Sequence, residues 1–134
     1  MAIQQNIKMR KGTNIKLVDF EKFCLDNQQE IHSYSIITDD TQKDFAELLQ
    51  HTLRLQMQFD KLVVNLSGNN ILLTAGQPDF FGYYQNYASF HKIKRIQLDE
   101  YIENLSLTFK ILCGNLQDSN MDIEYVLGVH LKIN

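Results

Sequence analysis

Tryptophan is absent from this chain of 134 residues, proline occurs once, at Pro78, and cysteine twice, at Cys24 and Cys113. With one proline, six scattered glycines and no internal repeat, there is no linker-like tract to split the chain, so residues 1–134 read as a single domain. The cysteines lie far apart and outside any CxxC or Cys/His pattern. That excludes a disulfide framework and a thiolate zinc site, and both read as buried, reduced thiols.

Long apolar runs are missing too. Leu62-Val63-Val64 and Ile71-Leu72-Leu73 are among the longest, far short of the roughly 20 residues a spanning helix needs. Met1-Ala2-Ile3-Gln4-Gln5 has neither the charge nor the apolar stretch of a signal peptide, so the expected location is cytoplasmic. Glycines 12, 68, 76, 82, 114 and 128 fit neither GxGxxG nor GxxxxGK[ST], whose close spacing lets backbone N–H groups approach phosphates. GxSxG, HExxH and the EF-hand acidic pattern are likewise absent, and neither a metal nor a cofactor is expected.

What is present is ordinary globular chemistry: 44% hydrophobic and 22% charged residues, enough to bury roughly two-thirds of the unfolded chain's surface. Net charge is −3 but uneven, about +3 over residues 1–22 and −6 beyond, an asymmetry that suits a charged partner or a solvated surface equally. Abundant Asn and Gln with little Ala suggest an AT-rich genome, such as that of a low-GC bacterium or its phages.

The periodicities give an α+β fold: a largely antiparallel sheet of about five to seven strands packed on one main helix, because one-sided strands and a broad apolar helix stripe must cover each other. That helix spans about 41–58, with Thr41 and Asp44 resembling a capping box and Phe45, Leu48, Leu49, Leu53, Leu55 and Met57 forming the stripe. A hairpin is expected near the start, Ile7–Arg10 and Ile15–Val18 around Lys11-Gly12-Thr13-Asn14. A short helical turn follows, capped by Asp19, with Phe20, Phe23 and Cys24 on one side. Residues 31–38 read as a strand, and 62–66 with 71–74 as a central hairpin.

Residues 92–98 form another strand with imperfect alternation at Ile93, Ile96 and Leu98, followed by a polar connection from Asp99 to Asn104. The C-terminal third is a long antiparallel hairpin, about 105–113 and 121–133. Matching its apolar rows places Cys113 opposite Met121, Phe109 opposite Tyr125 and Lys110 opposite Glu124. The final strand, if it lies at a sheet edge, invites pairing with a second copy as a homodimer.

Catalytic residues do not stand out. Asp39, Asp40 and Asp44 complement a helix N-terminus, His51 follows Glu47 at ion-pair spacing, and His130 reads as solvated. Six of the fourteen Phe and Tyr residues fall between Phe80 and Phe90, followed at once by bases. The candidate binding residues are Phe81, Tyr83, Tyr84, Tyr87, His91, Lys92, Lys94 and Arg95.

Tyrosine and phenylalanine are enriched at interface cores, which points to another protein as partner. The expectation is a small non-enzymatic protein-binding module: an inhibitor, immunity or accessory protein, as carried by phages and mobile elements. Aromatic faces beside Lys and Arg also suit single-stranded nucleic acid, with Lys8, Arg10 and Lys11 as further contacts. A third reading is an enzyme whose site is assembled from residues distant in sequence. The bland alternative buries Phe80, Phe81 and Phe90 in the core.

Overall fold

The computed structural model describes residues 10–37, 58–75, 86–114 and 122–133. Within them the protein is α+β and mostly strand, with every ladder antiparallel. The strands are β1 (Asn14–Ile15), β2 (Ile31–Ile37), β3 (Gln58–Phe59), β4 (Lys61–Asn65), β5 (Asn70–Ala75), β6 (Asn86–Phe90), β7 (Ile93–Ile102), β8 (Ser106–Gly114) and β9 (Asp122–Leu131). Six of them form one sheet in the order β1-β7-β8-β9-β2-β3, and three form a smaller sheet, β4-β5-β6. The expected single sheet is thus two. The chain passes between them at Asp60, and again at His91 and Lys92, where Lys92 adopts a left-handed φ of 52°.

One α-helix is described, α1 (Leu17–Asp26), followed by a 3-10 turn at Gln28–Glu30, and α1 buries Phe20, Phe23 and Cys24 as their spacing predicts. Its N-cap is Lys16, and Asp19 lies in the first turn, where a carboxylate favours the helix dipole. Asn27 ends the helix, its Nδ2 donating to the Phe23 carbonyl at 2.8 Å. Two of its rings meet Phe109 of β8: Phe20 lies edge-on at 5.2 Å, and Phe23 lies 6.2 Å from the same ring. From the small sheet Ile71, Leu73, Ala88 and Phe90 join the same buried cluster, Phe90 tilting onto Tyr125 at 5.1 Å. The main helix expected at 41–58 falls almost wholly outside the described residues; only Gln58 is seen, in β3.

Several local expectations change. Residues 15–18 do not return as a hairpin strand: Asn14–Ile15 pairs with β7, and the chain enters α1 at Leu17. Gly12 does make the turn, at φ 82°, and its N–H donates to the Leu98 carbonyl at 2.7 Å. Asp99 to Ile102 continue β7 rather than forming a connection. The broken alternation of β7 has a cause, for the register shifts between Ile93 and Arg95 and again between Leu98 and Glu100, leaving Lys94 and Asp99 as inserted residues.

The β4–β5 hairpin forms, with Leu62 opposite Leu73, but among the described residues it is not central: β4 is there an edge strand, with Val63 exposed. Strand β9 lies inside the large sheet between β8 and β2, so it offers no edge to a second copy.

The β8–β9 hairpin keeps the expected faces in a register displaced by two residues. Phe109 faces Leu127, Ile111 faces Tyr125, Cys113 faces Ile123 and Lys110 faces Val126. A two-residue step leaves both apolar rows inward, so the alternation permits either arrangement. In the observed one Phe109 and Tyr125 sit on neighbouring cross-strand pairs, and Phe109 is in contact with Phe20 and Phe23.

Candidate functional site

Of the candidate binding residues, Phe81, Tyr83 and Tyr84 lie outside the described residues. Tyr87 is in β6, its backbone opposite Thr74. Phe90 is buried, as the core reading of that residue has it. His91 is exposed, its Nε2 2.8 Å from Ser89 Oγ. Lys94 and Arg95 lie at the start of β7, where two carboxylates of β9 meet them. Lys94 Nζ is 2.7 Å from Asp122 Oδ1, and Arg95 is 3.8 Å from Glu124. The pair expected between Lys110 and Glu124 is replaced by Lys110 with Asp99 at 3.9 Å. Local charge at the basic cluster is therefore largely compensated within the sheet.

A different place combines shape with exposed apolar surface. After β3 pairs with Tyr34 and Ser35, the chain steps at Asp60 and β4 pairs with β5 instead. Among the described residues no strand pairs with the other side of β4. A groove of about 320 Å³ is lined by Cys24 and Leu25 of α1, Gln28 just after it, Tyr34 of β2, and Lys61 to Val64 of β4. Leu25 is 63% exposed and Val63 45%, so exposed apolar side chains are part of its lining. Sequence reasoning missed both residues. The available signal was Leu25 lying off the Phe20–Phe23–Cys24 stripe of α1.

Among the described residues that line it, the groove holds no activated thiol. Burial pushes the Cys24 thiol up to about 12, against a partly offsetting hydrogen bond with Tyr34, so it is neutral near pH 7. Burial likewise raises Tyr34, with Cys24 adding to the effect. Cys113 is also pushed up to about 12 by burial.

His130 is half-buried rather than solvated, on the outward face of β9. Its Nε2 lies 2.6 Å from Ser35 Oγ, and its pKa is lowered, first by burial and then by the nearby His32. A serine hydroxyl beside a neutral imidazole has the contact of a nucleophile and base. Catalysis also needs a group that orients the imidazole and donors for a developing oxyanion, and neither accompanies this pair among the described residues. Nor, among the described residues, do three His, Cys, Asp or Glu side chains come together to hold a metal ion. His51, Glu47 and the Asp39, Asp40 and Asp44 cluster lie outside them. No described helix is long and apolar enough to cross a membrane.

Comparison with protein-family models, with curated proteins and with solved structures finds no match.

Proposed function

We propose that the protein is a small non-enzymatic protein-binding module, an inhibitor, immunity or accessory protein, that takes an extended segment of its partner along β4. The observation that carries this reading is the coincidence of a β4 edge that no described strand pairs with and exposed Leu25 and Val63 in the lining of one groove. An edge strand presents alternate N–H and C=O groups to a new strand, and side-chain pockets beside it supply specificity. The lining of that groove also includes Glu21, Asp60 and Lys61, charges of both signs, which suits a site that mixes polar and apolar contacts.

The nucleic-acid reading is weakened by the pairing of Lys94 and Arg95 with Asp122 and Glu124, since ion-paired bases have less to gain from phosphates.

The test is a selection from a displayed library of linear peptides on the wild type, repeated with Leu25→Asp and Val63→Asp variants. Both residues are exposed, so each variant should stay within about 0.5 kcal/mol of wild-type stability. Peptides with alternating apolar residues that bind the wild type and lose tenfold or more with either variant support the reading. Peptides that bind all three proteins equally, or no selected peptides at all, refute it.

A further inference from the structure

A second groove, of about 530 Å³, lies at the end of the large sheet where β9 runs out past the turn that leads into β8. Its walls divide by chemistry. Leu105, Leu131 and Ile133 are apolar, and Leu105 and Ile133 are largely exposed. His32, Ser33, His130 and Lys132 form the polar part.

The sheet builds this arrangement. Ser33 and His130 are register partners, and His32 sits at the irregularity between Ile31 and Ser33. Backbone bonds from Lys132 N to the Glu30 carbonyl and from Leu131 N to the Leu105 carbonyl, both 2.9 Å, pin the end of β9.

Two features ask for an anion. Ser33 is only 4% exposed, yet its Oγ has no hydrogen-bond partner, an arrangement that is unfavourable for a buried hydroxyl. Beside it lie Lys132 and two imidazoles close enough for His32 to disfavour charge on His130. Among the described residues no carboxylate pairs with Lys132, although Glu30 and Glu103 lie on the neighbouring segments. A carboxylate placed there would accept from the Ser33 hydroxyl and the Lys132 ammonium.

We propose that this groove binds a small amphipathic carboxylic acid, its carboxylate held by Ser33, His130 and Lys132 and its hydrocarbon chain lying on Leu105 and Ile133. The volume falls within the usual range of roughly 300–1,000 Å³ for small-molecule sites, and such sites characteristically set a few convergent polar groups in an apolar wall. The site is separate from the β4 groove and shares none of its lining residues.

Isothermal titration with acetate, hexanoate and octanoate, and with 1-octanol as the uncharged control, tests the assignment on the wild-type chain and on Lys132→Met and Ser33→Ala variants. Lys132 is exposed and Ser33 Oγ is unpartnered, so both variants keep the fold, which amide spectra verify. The expected result is saturable octanoate binding that tightens with chain length from acetate, weakens about tenfold in Lys132→Met and several-fold in Ser33→Ala, and exceeds that of 1-octanol. The proposal is overturned by absence of saturable octanoate binding, by equal affinity for octanoate and 1-octanol, by acetate binding as tightly as octanoate, or by octanoate affinity unchanged in both variants.

Discussion

The ammonium of Lys94 lies 2.7 Å from the carboxylate of Asp122, tying the first residues of β7 to the first residue of β9 across the end of β8. Both side chains are substantially exposed, so the pair contributes only about 0.2–1 kcal/mol. Its larger consequence is for partners. A short single-stranded oligonucleotide is expected to bind weakly, with little change in affinity between 50 and 200 mM salt (roughly the span over which true multi-phosphate contacts lose a thousandfold). Fluorescence anisotropy reads this directly. Steep salt dependence that disappears on replacing Lys92, Lys94 and Arg95 would restore the nucleic-acid reading.

Phe109 is fully buried against both aromatic rings of α1. Replacing it with alanine removes the ring on which the helix rests and leaves a cavity, at a cost of about 3–5 kcal/mol. Urea unfolding should show a lower midpoint with an unchanged slope. A loss under 1 kcal/mol would mean that α1 does not rest on the sheet through this ring.

Cys24 and Cys113 are buried and neutral, so both should react slowly with a disulfide reagent in the native protein and rapidly in urea. Their folded pKa values stand above those of the unfolded chain. The stabilisation from keeping them neutral is therefore complete below the unfolded thiol pKa, and it is lost as pH rises through the window from there to about 12. The midpoint of urea unfolding should fall across that alkaline range, and less so in a Cys24→Ala, Cys113→Ala protein.

His130 titrates in the opposite sense. Its folded pKa is depressed, so its contribution is complete above the unfolded value of 6.5 and is lost as pH falls through the folded pKa. His130→Gln should reduce the acid-side slope of stability while leaving the region above neutrality unaltered. An identical slope in the variant would show that other groups carry it.

The sequence made strand identity and facing legible where alternation was strong, as in β8 and β9, because a period of two assigns every side chain to a face. It did not settle the register of that hairpin, since Phe109 facing Tyr125 and Phe109 facing Leu127 both keep the apolar rows inward. The second sheet was hidden for a related reason. Leu62-Val63-Val64 is a continuous apolar run, and such a run marks either a strand covered on both faces or an edge strand that exposes apolar surface. The exposure of Val63 selects the second.

The protein-binding expectation came from the aromatic segment, of which Phe81, Tyr83 and Tyr84 lie outside the described residues. The proposed docking at β4 rests instead on Leu25 and Val63, which no motif distinguishes. The His32–His130 proximity was illegible because it depends on the β2–β9 ladder, between residues 98 positions apart.

The most direct measurement is amide hydrogen exchange along Lys61 to Asn65 with and without a peptide selected on the wild-type protein. A strand added to the free edge of β4 should slow exchange at alternate residues of this segment, with additional protection near Leu25, and leave the β8–β9 ladder unchanged. Bound peptide that leaves the amides of residues 61–65 exchanging at their free rates, or that protects a different edge, would contradict β4 as the docking strand.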